Sequence, residues 1–435
     1  MKICSLFKCA VALILLLPNF AAAMPEIQHW TTANGARVYF VPAPELPIVD
    51  VQIVFDAGSA RDGGKPGLAM LTNALLDSGT TTLSADTVAE RLDAVGAQLG
   101  SGAARDMAWL SLRSLADPHY LTPAVDTLTQ LLREPAFAED ALERERKRMI
   151  AALRERAQSP AAIAEQAFYK ALYGEHPYAS PPEGSEASLN TIQREEVQDF
   201  QRRYYGAANA VVAIVGALNR ASAERLATAL VGQLPAGSAA PPLPAVAPVT
   251  EARVIRIPHP SSQSHVYMGQ VGVSRTDPDY YSLYLGNHVL GGNGLVSQLA
   301  EEVREKRGLS YSVSSYFSPM RAAGPFLMVL QTRNNQVNEA EQVANATLAD
   351  FVHNGPTPPT LEAARQNITG GFALRIDSNS KIVQYLAMIG FYSLPLDHLQ
   401  TFTAKINDLS LEQVNSALRR RIQPERLLTV IVGGG

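Results

Sequence analysis

Two side chains in "REKRGLSY" could act together on a reacting carbonyl. Arg304 and Tyr311 lie seven residues apart. A guanidinium and a phenol hydroxyl can both donate hydrogen bonds to a developing oxyanion or hold a peptide backbone. One well-placed donor of this kind stabilises a tetrahedral transition state by about 2.7–4 kcal/mol. The residues alone leave quieter roles open. Leu295, Leu299 and Val303 read as the buried stripe of a helix ended by Gly308, with Glu301, Glu302, Glu305, Lys306 and Arg307 around its wet sides. Arg304 could be one more solvated charge there. Tyr311 falls on one strand face with Leu309, Val313, Ser315 and Phe317, so it could be core.

Other candidates carry less chemistry. The eight histidines show neither a His-x-x-x-His nor a His-x-His spacing. His259 and His265 sit six apart across "HPSSQSH", and no metal role is expected of them. His288, beside "GGNG", reads as a capping or core residue. "LGGNGL" lacks the Lys-Ser/Thr and the strand context of a phosphate loop. The sequons at Asn345 and Asn367 fall on helical stretches and read as chance. "GLAMLTNALLDSGT", Gly67 to Thr80, reads as a short apolar helix with Leu68, Leu71, Leu75 and Leu76 at helical spacing and Gly79 placed to end it. It offers no His, Glu, Cys or Lys, and its one carboxylate, Asp77, lies near the end.

The elements that must position these residues belong to more than one domain, because single cores stop growing near about 250–300 residues and the chain has 435. A hydrophobic fraction of 46% against 18% charged residues suits filled globular cores. The first 23 residues have Lys2 and Lys8, an apolar run from Ala10 to Leu17 and then Ala21-Ala22-Ala23, the order of a secretory signal peptide. Both cysteines, Cys4 and Cys9, fall within it. A chain beginning near Met24 therefore has no thiol for a disulfide or a metal. Its 35 basic and 41 acidic residues give a net charge of −6, so neither nucleic acid nor an anionic membrane is an expected partner.

"LPAGSAAPPLPAVAPVTEAR", residues 234–253, reads as a semi-extended linker and not as a packed element. It separates halves at 24–233 and 254–435. Their ends resemble each other: "VQDFQRRYYGAANAVVAIVG" closes the first and "VNSALRRRIQPERLLTVIVG" the second. Val197 and Val414, Arg202 and Arg419, and Gly216 and Gly433 are each 217 positions apart, which marks an internal duplication. Strands are expected at 48–58, 106–115, 264–273 and 324–332, and a long charged helix at 138–157. Strands and helices interleave without regular βαβ alternation, so each half should be an α+β sandwich.

Over nearly all of the chain after the signal, the sequence resembles the M16 (pitrilysin-like) metallopeptidases. The resemblance is carried by "YGEHPYASPPEGSEASLNTIQREEVQDFQRRYY" (173–205) and "LGGNGLVSQLAEEVREKRGLSYSVSSYF" (290–317). It implies two duplicated halves of the LuxS/MPP-like metallohydrolase fold, facing each other as a clamshell. Active members carry His-x-x-Glu-His on the helix equivalent to Gly67–Thr80, where two His hold zinc and the Glu activates water. Here the His positions fall on Met70 and Ala74, the Glu on Asn73, and the third ligand, a Glu on the next long helix, on Ala151 or Ala152. The resemblance thus implies that this chain binds no zinc of its own. It also implies that Arg304 and Tyr311 match the Arg/Tyr pair that points at substrate in family peptidases.

Some family members work as heterodimers, one subunit bringing the zinc motif and the other the Arg/Tyr pair. The implied function is that of the Arg/Tyr subunit, periplasmic, acting on extended peptides beside a zinc-bearing M16 partner. A peptide-binding or scaffold protein of the same fold is the alternative. A much longer glycine-rich loop contacts substrate in some related non-catalytic subunits, and "LGGNGL" is a short version of it.

Overall fold

The computed structural model describes residues 26–434; the segment expected to be a signal peptide, with both cysteines, lies outside the described residues. Two mixed sheets organise the chain. The first has the order β1 (Gln28–Thr31), β2 (Arg37–Pro42), β6 (Ala210–Gly216), β3 (Ile48–Phe55), β5 (Ala108–Leu115), β4 (Gln98–Ala103). The second has β7 (Arg253–Ile257), β11 (Leu428–Val432), β8 (Gln263–Val271), β10 (Pro325–Arg333), β9 (Ser312–Phe317). Apart from the extra edge strand β1, the two orders correspond strand for strand. In each sheet one pair is parallel, β2 with β6 and β7 with β11, and the other neighbours are antiparallel.

The 217-residue offset holds at the level of elements. The Arg194–Tyr204 helix maps onto Leu411–Arg421, and the 3-10 turn Ala207–Asn209 onto Pro424–Arg426. Gly216 and Gly433, which close the following strands, have φ of 154° and 148°. Equal sequence spacing has produced equal geometry.

The central strands are buried on both faces, which explains why "AVVAIVG" and "LTVIV" read as unbroken apolar runs and not as alternations. One face of each sheet takes its own half's helices. The other face takes a helix from the opposite half. The Asn379–Tyr392 helix packs on β2, β3 and β6 of the first sheet, against Tyr39, Val211, Ala213 and Val215. The Pro160–Tyr173 helix packs on β8 and β11 of the second, where Phe168, Tyr169 and Leu172 meet Leu428, Val430 and Val432. Gly390 lets the first of these helices approach: a Cβ there would stand 2.5 Å from Val211 Cγ1. The exchange locks the halves together through buried apolar surface.

A polar knot ties the same junction. Asp106, 4% exposed, accepts hydrogen bonds from the Tyr178 hydroxyl, the Tyr392 hydroxyl (3.0 Å) and the Arg321 backbone N–H (2.7 Å). Arg321 also pairs with Asp56, which holds Arg61 in a two-pronged ion pair. Burial first, and the Asp106 charge second, hold both tyrosine hydroxyls protonated.

Between Val231 and Arg253 no helix or strand forms, yet the segment is not a free tether. Ala240, Leu243, Val246 and Val249 are half-buried while the residues between them are exposed. That three-residue rhythm is the repeat of a polyproline II helix, which the prolines favour. Its contacts are fixed by hydrogen bonds from the Ala240 N–H to Asn209 Oδ1 and from His176 Nε2 to the Pro244 carbonyl.

Candidate functional site

The Leu68–Ala74 helix begins where the buried Asp62 carboxylate accepts hydrogen bonds from the Gly67 and Ala69 N–H groups, at 2.9 and 2.8 Å. Burial is the main influence on Asp62 and raises its pKa to about 7, against the pull of those two donors. Leu68, Leu71, Leu75 and Leu76 are buried, and Gly79 stands at the turn beyond. Met70 and Ala74 are half-buried, with Met70 packed against the core of the first half. Ala151 and Ala152, on the Glu139–Arg156 helix, are exposed.

Asn73 is the informative position. It is 1% exposed, its Nδ2 donates to the Gly102 carbonyl at 2.9 Å, and its Oδ1 accepts from the Tyr205 hydroxyl at 3.1 Å. Tyr205 is itself buried. Both ends of the amide are therefore committed to the scaffold. The second half repeats the arrangement: Asn287, ending the Tyr280–Asn287 helix, donates Nδ2 to the Ser315 carbonyl of β9 at 2.9 Å and accepts from Ser315 Oγ at 2.6 Å. In both halves an Asn near a helix end pins that helix to its edge strand.

These residues do not fit a catalytic zinc ion. A thioether, two or three methyl groups and an amide with both ends occupied offer no imidazole or carboxylate. Among the described residues no group of three or more His, Cys, Asp or Glu could hold a metal. His265 on β8 has its pKa lowered by burial and then by the nearby His259. His288 is buried, with its Nε2 3.1 Å from Asn367 Oδ1.

Arg304 and Tyr311 are brought together. Arg304 lies in a short π-helical segment, Ala300–Glu305, and Gly308, with φ +62°, turns the chain. The Arg304 guanidinium carbon stands 5.2 Å from the Tyr311 ring centroid, within cation–π range. The surrounding charges serve one another, Lys306 with Glu301 and Glu302 and Arg307 with Glu302, while the nearest carboxylate to Arg304 is Glu305, at 3.5 Å. Arg304 thus stands at the edge of this cluster, ion-paired with the exposed Glu305.

One alternative left open is closed here, and one expectation is corrected. Tyr311 is not core: it is 83% exposed, because β9 begins only at Ser312 and strand parity does not reach it. Leu295 does not belong to a buried helical stripe. It is 63% exposed on a 3-10 turn, Gly294–Val296, that follows Gly294 at φ +53°, while Leu299 and Val303 are fully buried. The turn lifts Leu295 and Val296 into solvent before the helix starts.

Sequence reasoning missed the Asp106 knot and the packing of the linker. The signal for the second was present in the spacing of Leu243, Val246 and Val249. The first joins residues more than 280 positions apart and leaves no local trace.

Comparison with known proteins agrees with the duplicated architecture. Residues 37–186 match "Insulinase (Peptidase family M16)", and residues 191–368 match "Peptidase M16 inactive domain". The crystal structure of a peptidase M16 inactive domain from Pseudomonas fluorescens superposes with a TM-score of 0.91 at 38% identity, over 94% of this chain and 98% of that one. An uncharacterized zinc protease, YmxG, of Bacillus subtilis is 26% identical over 94% of this chain and 99% of its own length. A Helicobacter pylori protein named non-peptidase homolog YmxG is 25% identical over 89% of each. The chain belongs to the M16 peptidase family and carries the family's inactive domain.

Proposed function

We propose that this chain is the non-catalytic Arg/Tyr subunit of a heterodimeric M16 zinc metallopeptidase, secreted to the periplasm and acting on extended peptides. The observation that carries the reading is the pairing of Arg304 with Tyr311. An 83% exposed tyrosine, its ring 5.2 Å from a guanidinium whose carboxylate partner is the exposed Glu305 at 3.5 Å, sets two donors side by side at the surface. By the family resemblance, Met70, Ala74 and Ala151 stand where zinc ligands would be needed, and Asn73 where the water-activating Glu would be. The pair's chemistry is complete only beside a metal-bearing partner of the same family.

In that assembly Tyr311 donates its hydroxyl hydrogen to the oxyanion of the tetrahedral intermediate, and Arg304 orients the ring and holds the peptide backbone. The partner supplies zinc and the activated water. In the pair reconstituted with an M16 subunit bearing His-x-x-Glu-His, Tyr311→Phe should lower kcat about 10²–10³-fold with KM changed far less, and Arg304→Ala should lower kcat/KM about 10²–10³-fold with part of the loss in KM. Full activity in both variants would refute the assignment and leave a peptide-binding or scaffold role.

A further inference from the structure

Two cavities, about 500 and 400 Å³, meet at Arg275, Tyr280, Tyr284 and Arg375, which line both. The smaller lies among three helices, Tyr280–Asn287, Asn379–Tyr392 and His398–Asn407. Each presents residues about one turn apart to it: Tyr280 and Tyr284, Tyr385 and Met388, His398 and Phe402.

No Asp or Glu lines either cavity. Arg275 Nη1 donates to the Tyr280 hydroxyl at 3.2 Å, but its Nε is buried without a partner. Arg375 is exposed, 5.9 Å from the Tyr284 ring centroid, with the Tyr284 and Tyr385 hydroxyls as its neighbours. Arg420 and Arg421, by contrast, both bind Asp279, and Lys381 at the cavity edge is paired with Asp377. A buried guanidinium N–H with nothing to donate to is costly. Both guanidiniums line the two cavities, so an anion entering from the Arg375 side would meet two cations that no carboxylate there neutralises.

We propose that this cavity binds the free C-terminal carboxylate of a peptide whose last side chain is apolar or aromatic. The carboxylate lies between Arg275 and Arg375, and the side chain rests against Met388 and Phe402. Inorganic phosphate could meet the same guanidiniums but would leave those apolar walls unused. The inference rests on the reading of this chain as a peptide-binding subunit and names the end of the peptide it recognises.

The test is fluorescence anisotropy of an N-terminally labelled hexapeptide ending in Leu-Phe, as free acid and as C-terminal amide, titrated with the isolated chain. The acid should bind roughly 10–100-fold more tightly than the amide, the range for hydrogen bonds to a charged group. Arg275→Gln and Arg375→Gln should each remove most of that preference, and 10 mM inorganic phosphate (a concentration of about 10⁻² M) should leave the acid peptide bound. Arg375 is exposed, so its variant tests the site even if the Arg275 change disturbs folding. Equal binding of acid and amide, no binding of either, or full displacement by phosphate would overturn the proposal. The assay needs neither partner nor hydrolysis, and Tyr311→Phe should keep the preference for the acid. Failure here therefore leaves the Arg304–Tyr311 assignment standing, and the converse also holds.

Discussion

Replacing Asp106 by alanine should loosen one half of the molecule from the other. The carboxylate is 4% exposed and accepts from two tyrosine hydroxyls and one backbone N–H, two of the three donors coming from the second half. Each donor left buried without an acceptor costs about 1–3 kcal/mol. Water entering the space left by the carboxylate would recover part of this, so we expect a loss of about 3–6 kcal/mol. Tyr392→Phe removes one donor together with its need for an acceptor, and should cost only about 1–2 kcal/mol. Because the two residues share a hydrogen bond, the double variant should fall short of the sum of the singles by about 1 kcal/mol or more. Urea unfolding followed by far-UV circular dichroism and by the fluorescence of Trp30 and Trp109, both in the first half, would measure these differences. It would also show whether the halves then unfold separately. A cost below about 1 kcal/mol for Asp106→Ala, or strict additivity with Tyr392→Phe, would refute the view that this knot joins the halves.

Two further perturbations follow from named contacts. Asn73→Ala strands the buried Tyr205 hydroxyl and the Gly102 carbonyl, and should destabilise by about 2–4 kcal/mol in the same urea assay; no measurable loss would show the amide to be incidental. His398 has its pKa lowered to about 4, first by burial and then by Lys405 and Arg275, with Asp397 opposing. The folded protein therefore keeps this ring neutral while the unfolded chain protonates it below about pH 6.5. Its contribution is present above that pH and is lost as pH falls toward 4, to an extent on the order of 3 kcal/mol. His398→Phe should flatten that part of the stability profile, and an unchanged profile would contradict the assignment.

The duplication was legible because it was written as spacing. The helices at 194–204 and 411–421 and the strands after them repeat at a constant interval, and local propensity agrees with the tertiary outcome at both sites. Leu295 was misread because helical periodicity was extended one turn ahead of the element that sustains it, into the Gly294–Val296 turn; the strand parity that left a core role open for Tyr311 likewise does not reach ahead of Ser312. Asn73 could be read from sequence as a position unable to act as a base, but its hydrogen bonds to Gly102 and Tyr205 bring together residues 29 and 132 positions away. The cavity between Arg275 and Arg375 was invisible for the same cause, since its walls come from three helices separated by loops of no distinctive composition. The linker carried its pattern openly in Leu243, Val246 and Val249, at a period of three that a search for helices and strands does not test.

The most direct test of the central claim is capture of the tagged chain from its host's cells, with identification and stoichiometry of what accompanies it. The account predicts a one-to-one partner of the M16 family carrying His-x-x-Glu-His. It predicts peptide hydrolysis by the pair, and none by either subunit alone. Recovery of the chain without such a partner, or chelator-sensitive hydrolysis by this chain on its own, would contradict it.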